Sequence, residues 1–434
     1  MQQSGRLKWL DTARGTAMLF VCLAHFSSAY FVQPGAGEAV PLGVEIGKVA
    51  APIFVALSGI LFGLMLQIKA GDFEETRNHF IDKALFMLVI AHPLMALMHT
   101  ANKSYLSAFG HVYITDTIAV CVVMGSILAP TMTLRKRLVL SFVVYVVSTA
   151  VWMKWEPDSP LLLVFRDFVF GSNQPDFSAA TFPFLPWFSV YLFGTGVGEV
   201  LARSRSRGRN GRPLRFLIGC SVTALASAVL MRVIYKMLLA SRVIVDDDLL
   251  YYNLFASPYH NIPPSPHYLF LFIGLGMGVL SIVYALSKTA RGEQYLALLS
   301  TVGRNSLVVF VVQEGMYFYV LYILARSTSL AAVNVWPIYF LASLAVVAAV
   351  ALVADRLQVS RYQTLGYPRF LHFMRTASPN VSGLTTKVPN SDQHPNSGSA
   401  PALRIVPRGT RRSIAQGIDG MGESRRTLGP RREG

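Results

Sequence analysis

Arg14 and His25 are the two residues whose types and spacing best suit chemistry in this sequence. They lie eleven positions apart within one apolar run. At about 100° per residue, a helix places both side chains on one face, together with Met18 and Val21. An imidazole titrates near neutral pH, so His25 can take the proton of a hydroxyl or amine during acyl transfer, or carry the acyl group itself. The alternative for His25 is a hydrogen bond to a neighbouring helix.

The guanidinium of Arg14 can bind phosphate oxygens or orient a carbonyl group. Asp11, one helical turn earlier, could fix its direction. Each residue also has a non-catalytic explanation. An arginine at the cytoplasmic end of a span follows the positive-inside rule, and an aspartate near the start of a helix can cap that helix. With these alternatives open, His25, Arg14 and Asp11 are the predicted catalytic group.

Two further carboxylates, Asp116 and Glu314, lie inside apolar runs. A carboxylate that is buried without a nearby cation is protonated or hydrogen-bonded, so both are second-tier site candidates. The spacing of His92, His99 and His111 does not match that of metal ligands. We therefore predict no metal site.

The composition is that of a polytopic membrane protein. Of the 434 residues, 53% are hydrophobic and only 14% are charged, whereas soluble domains carry about 25% charged residues. The formal net charge of +16 would suggest a nucleic-acid partner in a soluble protein, but here the basic residues concentrate in short loops and at the C-terminal end. That distribution is typical of membrane topology, so we predict contact with membrane lipid and no nucleic-acid partner.

Ten apolar runs have about the length of a membrane-spanning helix. They cover residues 9–32, 44–67, 84–99, 111–130, 135–153, 183–202, 214–238, 266–287, 304–325 and 333–354. The sequence His92-Pro93 predicts a kink in the third run. The predicted fold class is all-α with about ten transmembrane helices, and the Lys and Arg residues of the loops favour cytoplasmic N- and C-termini.

The chain divides after its last apolar run. Residues 1–356 are expected to form the transmembrane domain. Residues 357–434 are expected to form a basic, largely disordered cytoplasmic tail, because the sequence beyond about residue 375 is rich in Ser, Pro, Gly and Arg and has no apolar periodicity.

Five stretches, in order along the chain, resemble one family of transmembrane acyltransferases. This family includes bacterial acyltransferase family three and the heparan-alpha-glucosaminide N-acetyltransferase-like proteins. The stretches are Leu10–Gly15 with His25, Ala51–Gly59, Phe182–Trp187 with the glycines at 194, 196 and 198, Pro263–Ser265, and Gly303–Leu307. The resemblance covers about residues 6–355.

The resemblance implies an integral membrane enzyme that moves an acyl group, expected to be acetyl, from cytosolic acyl-coenzyme A to a hydroxyl or amine. The implied acceptor is a glycan or lipid-linked sugar of the cell envelope, on the outer face of a bacterial cytoplasmic membrane. The residues expected to bind the acyl donor are Arg14, Ser58, Lys83, Arg304 and Asn305.

Two other functions fit the sequence. Intramembrane His25, Asp116 and Glu314 could form the relay of a proton-coupled transporter. A non-catalytic assembly protein could instead act through the basic tail. The sequence leaves the oligomeric state open.

Overall fold

The computed structural model describes residues 7–31, 42–100, 104–171, 182–206, 211–243, 249–257, 263–321 and 336–371. The described residues form an all-α fold, with a helix at each of the ten predicted apolar runs. In chain order the helices are α1 (Lys8–Phe31), α2 (Leu42–Gly47), α3 (Ala50–Ile68), α4 (Phe73–Phe86), α5 (His92–His99), α6 (Tyr105–Phe109), α7 (Ile114–Leu128), α8 (Leu134–Lys154), α9 (Pro160–Val169), α10 (Phe184–Ser206), α11 (Arg212–Ala240), α12 (Leu249–Phe255), α13 (Pro266–Leu286), α14 (Ala290–Tyr295), α15 (Ala297–Arg304), α16 (Ser306–Gly315) and α17 (Trp336–Arg356).

Within the described ranges, eight helical stretches are long and apolar enough to cross a membrane. The stretch from Ser306 to Val320 is apolar but shorter, and α1 carries three charged residues in its first half. The chain is therefore an all-α polytopic membrane protein. The count of ten spans and the cytoplasmic termini stay predictions.

The third predicted run is irregular next to Pro93. Helix α4 leads into a π-helical turn, Met87–Ala91, and α5 begins at His92 with the proline in its first turn. Proline has no N–H and its ring crowds the preceding turn, so a widened turn accommodates it. A second π-helical turn, Met316–Leu321, directly follows α16.

Glycines allow α3 and α10 to pack with their backbones in contact. A Cβ atom on Gly59 would lie 2.1 Å from the carbonyl oxygen of Tyr191, and one on Gly198 would lie 2.2 Å from that of Ile60. Small residues at such positions let membrane helices approach closely. The glycines of the second and sixth apolar runs therefore serve helix packing.

A similar close approach joins α1 to α15. A Cβ atom on Gly15 would lie 1.8 Å from the carbonyl oxygen of Leu299, and one on Gly303 would lie 1.7 Å from that of Asp11. The first and the last of the five resembling stretches are thus packed on each other. This contact brings Arg14 and Arg304, which directly neighbour the two glycines, to the same part of the bundle.

A buried charge cluster joins α8 to α10. Arg137 forms an ion pair with Glu199, and both side chains are almost inaccessible, at 1% and 2% exposure. Arg203 pairs with the second oxygen of the same carboxylate, and Arg137 donates to the carbonyl oxygen of Thr195 at 3.4 Å. Because an uncompensated buried charge is costly, each member of this cluster depends on the others.

Residues 357–371, here called the C-terminal strap, fold back onto α4. The fully buried carboxylate of Asp82 accepts hydrogen bonds from the backbone amides of Leu365 and Tyr367, at 3.0 and 2.9 Å, and from the hydroxyl of Thr364. The strap therefore packs on the helical body. The remainder of the predicted tail, residues 372–434, lies outside the described residues, and the prediction that the tail is largely disordered stays a prediction.

Candidate active site

His25 of α1 lies beside a buried carboxylate from α16. Its Nδ1 atom is 3.1 Å from Oε1 of Glu314, a residue that is only 4% exposed. Nε2 of Gln313 donates to the same oxygen at 2.8 Å, and the ring of Tyr317 lies 5.1 Å from the imidazole centroid. A carboxylate at Nδ1 fixes the tautomer and orientation of an imidazole, as in many acid–base pairs. Glu314 is therefore hydrogen-bonded, which is one of the two states expected for a buried carboxylate.

A second histidine faces the other oxygen of Glu314. Nε2 of His99 lies 3.9 Å from Oε2 of that carboxylate. Nδ1 of His99 donates to the carbonyl oxygen of Met95 at 2.8 Å, so Nε2 is the nitrogen left to exchange a proton. The His99 ring also contacts the ring of Tyr113, with 4.7 Å between the ring centroids and a tilt of 45° between the ring planes. Glu314 thus lies between two imidazoles from different helices.

Asp116 also has a histidine partner. Its Oδ2 atom lies 2.8 Å from Nδ1 of His92 and accepts the backbone amide of Tyr113 at 2.9 Å. Nε2 of His92 lies 2.9 Å from the carbonyl oxygen of Phe109. A carbonyl oxygen can only accept, so Nε2 carries a proton, and the contact at Nδ1 holds a further proton shared with the carboxylate. Asp116 is therefore hydrogen-bonded, in line with one of the two states expected for a buried carboxylate.

The two histidine–carboxylate pairs meet at Tyr113. The ring of Tyr113 lies 5.6 Å from that of His92 and 4.7 Å from that of His99. We call this group the histidine cluster; it comprises His25, His92, His99, Tyr113, Asp116 and Glu314. Both π-helical turns adjoin it, and such turns occur frequently at functional sites.

A cavity of about 550 Å³ lies beside α1 and collects cations from four elements. We call it the basic cavity; its cationic lining residues are Arg14, Lys83, Arg304 and Arg361. Ser58 and His79 line it as well. Four of the residues expected to bind the acyl donor, which are remote in sequence, therefore share one cavity. Phosphate groups are the ligands that such convergent cations favour.

One wall of the basic cavity follows α7. Ile114, Ile118 and Val122 are spaced one turn apart on this helix and line the cavity together with Thr115. Helix α7 begins at Ile114, directly after Tyr113, and Thr115 directly precedes Asp116. The cavity therefore reaches the end of α7 that carries part of the histidine cluster.

Residues 6–219 match the family model described as "Heparan-alpha-glucosaminide N-acetyltransferase, catalytic". The matched stretch covers 214 of the 434 residues, just under half of the chain. The match bears out the resemblance over residues 6–219, which include the first three of the five stretches, and the family indicates a membrane enzyme of the acetyltransferase type. A search of curated proteins finds no significant match. Helices α1 to α10 lie within the matched stretch, which includes His25, Asp116 and much of the basic cavity.

Between Arg14 and His25, the face of α1 that the two residues share is buried in packing. Met18 is completely buried and Val21 is 7% exposed, within an apolar cluster that includes Val309 and Ala351. The cavity that Arg14 lines extends along α7 instead.

Two other predicted site residues lie away from the basic cavity. Asp11 is buried and lines a different cavity, of about 830 Å³, together with Lys8, Arg205 and Lys288. Asn305 is buried, and its Nδ2 atom donates to the carbonyl oxygen of Thr301 at 3.1 Å. The roles predicted for Asp11 in catalysis and for Asn305 in donor binding stay predictions, without support from these positions.

The sequence does not predict the roles of several polar residues of the site. It suggests His92 and His99 only as possible metal ligands, whereas in the structure each lies beside a carboxylate. Their one local signal is the proline at residue 93, which breaks the regular helix between them. Among the described residues no group of three or more His, Cys, Asp or Glu side chains is arranged to hold a metal ion.

Proposed function

We propose that this protein transfers an acyl group, expected to be acetyl, from cytosolic acyl-coenzyme A to a hydroxyl or amine of a carbohydrate-like acceptor on the outer face of the membrane. The family match supports the acetyltransferase class. The observation that carries the finer proposal is the basic cavity, which is lined by cations and extends along α7 to Ile114 and Thr115, the sequence neighbours of Tyr113 and Asp116 in the histidine cluster.

The polyanionic end of the donor suits the cationic end of the cavity. Arg14, Lys83 and Arg304 come from the helix ends that the positive-inside rule places on the cytoplasmic side. Guanidinium forks and an ammonium group can bind the phosphate oxygens of coenzyme A. The donor would therefore enter from the cytoplasm with its phosphates held at that end.

The pantetheine arm suits the α7 wall. It is narrow and mostly uncharged, and the side chains at 114, 118 and 122 give it an apolar surface. The thioester at its tip would then reach the first turn of α7, next to Tyr113 and Asp116. At this point the donor carbonyl meets the histidine cluster.

His25 is the proposed base, and Glu314 is the residue that orients it. In direct transfer, the acceptor hydroxyl or amine gives its proton to the imidazole while its oxygen or nitrogen bonds to the thioester carbon. The C–S bond then breaks, and the coenzyme A sulfur takes a proton from the imidazolium. In the two-step variant, the imidazole nitrogen attacks the thioester carbon, the C–S bond breaks, and the coenzyme A thiolate leaves with the proton that the ring gives up. The acceptor oxygen or nitrogen then attacks the acyl carbon, the bond between that carbon and the imidazole breaks, and the ring takes the acceptor's proton.

The test is acetyl transfer from radiolabelled acetyl-coenzyme A to an α-glucosaminide by the purified full-length protein. His25→Ala should insert and fold but lose transfer, whereas coenzyme A binding should be unchanged because the basic cavity stays intact. Wild-type turnover in the His25→Ala variant would refute the assignment of the base.

The buried histidine–carboxylate pairs favour one other function, that of a proton-coupled transporter. Intramembrane ionisable pairs of this type serve as proton relays. Binding of labelled acetyl-coenzyme A separates the two functions, since the transporter has no need of that donor. Saturable binding supports the acetyltransferase, and its absence together with proton-driven uptake of a substrate supports the transporter.

A further inference from the structure

The C-terminal strap forms part of the basic cavity. Ser360, Arg361, Gln363 and Thr364 of the strap line it together with the predicted donor-binding residues. These residues follow the last long helix and lie outside the stretch that matches the family model. The cavity is therefore closed on one side by a segment that the matched domain does not contain.

The strap is held in place chiefly through one buried side chain. Asp82 is fully inaccessible, and its Oδ1 atom accepts the backbone amides of Leu365 and Tyr367 at 3.0 and 2.9 Å. Its other oxygen accepts the hydroxyl of Thr364. A carboxylate that satisfies three donors of one segment fixes both the position and the register of that segment.

Two adjacent residues of α4 connect the strap with the basic cavity. Asp82 binds the strap, and Lys83 lines the cavity. On the strap, Arg361 lines the cavity three residues before Thr364, the first anchored residue. The anchor therefore determines where the Arg361 guanidinium stands relative to Lys83.

We propose that the strap completes the acyl-donor site, with Arg361 as a phosphate-binding residue and Asp82 as the positioning residue that holds it there. This inference rests on the proposed function, since it assumes that the basic cavity binds the phosphates of acyl-coenzyme A. It adds a binding residue from the C-terminal strap, a segment outside the stretch that matches the family model.

The first experiment measures equilibrium binding of coenzyme A to the full-length protein carrying Arg361→Gln. Loss of one exposed charge-assisted contact should weaken binding about three- to tenfold. The KM for acetyl-coenzyme A should rise by a similar factor, because Arg361 lies at the phosphate end of the cavity. Arg369→Gln is the matched control: it removes the same charge from an exposed position of the same strap, outside the cavity lining, and should leave binding unchanged.

The donor itself supplies a second readout. S-acetylpantetheine lacks the phosphates and the nucleotide, so Arg361→Gln should not change its catalytic efficiency as a donor. An equal loss with S-acetylpantetheine and acetyl-coenzyme A would overturn the phosphate assignment.

The anchor is tested by limited proteolysis and hydrogen exchange of residues 357–371. Asp82→Ala should expose the strap and weaken coenzyme A binding at least as much as Arg361→Gln does. Asp82→Asn should preserve both, since an amide oxygen can still accept the two backbone amides and its nitrogen can donate to the threonine hydroxyl.

The outcomes separate this inference from the proposed function. If wild type binds coenzyme A and neither Arg361→Gln nor Asp82→Ala weakens binding, the strap has no part in the donor site and the inference is overturned. If wild type does not bind coenzyme A at all, the proposed function fails first, and the inference falls with it. A released strap with unchanged coenzyme A affinity would also overturn the inference, whatever its effect on turnover.

Discussion

Glu314→Gln tests the proposed histidine–carboxylate pair most sharply, because it removes a charge and keeps the shape of the side chain. Oε1 of Glu314 lies 3.1 Å from Nδ1 of His25, and the nearly complete burial of Glu314 limits screening by water. With charge centres about 4 Å apart and an effective dielectric constant of about 20, the carboxylate stabilises an imidazolium by up to about 4 kcal/mol. An amide keeps part of this interaction through its dipole.

The expected fall in kcat is therefore about 10²- to 10³-fold, since about 1.4 kcal/mol corresponds to a factor of ten in rate. The KM for acetyl-coenzyme A should change little, because Glu314 does not line the basic cavity. The assay is transfer from labelled acetyl-coenzyme A over a range of donor concentrations, with protein amounts normalised by size-exclusion chromatography.

Glu75→Gln provides the control for the loss of one carboxylate. Glu75 is exposed in the first turn of α4, where solvent screens its charge, and its replacement should leave kcat and KM unchanged. A kcat for Glu314→Gln within about threefold of wild type would refute the reasoning, because a catalytic imidazolium cannot lose this partner without a measurable cost.

Three further predictions concern packing, buried charge and donor binding. Gly303→Ala should lower the unfolding temperature in detergent, at a cost of about 1–3 kcal/mol, because its Cβ atom would lie 1.7 Å from a carbonyl oxygen of α1; Gly219→Ala, where the added atom meets open space, should be neutral. Arg137→Met alone should destabilise the protein by about 3–5 kcal/mol, because the buried Glu199 carboxylate then keeps only the largely exposed Arg203 as its partner. Combining it with Glu199→Met should recover much of the loss in the same thermal assay, because the double variant removes that carboxylate. Arg14→Lys should raise the KM for acetyl-coenzyme A several-fold in the transfer assay, because an ammonium group cannot reproduce a bidentate guanidinium contact; an unchanged KM would return Arg14 to a purely topological role.

The sequence predicts the helices well because membrane-spanning segments obey a simple length and polarity rule. Each of the ten apolar runs contains a helix in the structure, and the irregularity at His92-Pro93 appears as a π-helical turn. The grouping of Arg14, Lys83 and Arg304 also follows from a local rule. Positive residues at cytoplasmic helix ends converge on one side of the bundle.

The pairing of polar groups inside the bundle follows no such local rule. His25 and Glu314 are 289 positions apart, and only the packing of α1 against α16 brings them together. His92 is the first residue of α5, directly after a π-helical turn, and Asp116 lies in the first turn of α7. Helical periodicity correctly places residues on one face of α1, but it does not tell whether that face is open or packed.

The place of the C-terminal strap on the bundle also follows no local rule. The tail-like composition begins only beyond about residue 375, and the strap itself contains apolar residues, among them Leu357, Val359 and Leu371, but these do not indicate what it packs against. Its position comes from the hydrogen bonds that Asp82 accepts, and Asp82 lies in α4, more than 270 positions earlier in the chain. A single buried carboxylate can thus fix a segment that is remote in sequence.

The central claim is that the donor phosphates lie in the basic cavity while the thioester sulfur reaches the histidine cluster. A cryo-electron microscopy structure of the full-length protein with bound coenzyme A tests it directly. We expect the phosphates among Arg14, Lys83, Arg304 and Arg361, and the sulfur at the first turn of α7. Coenzyme A bound in the cavity that Asp11 lines, or with its sulfur pointing away from Tyr113 and the cluster histidines, would contradict the claim.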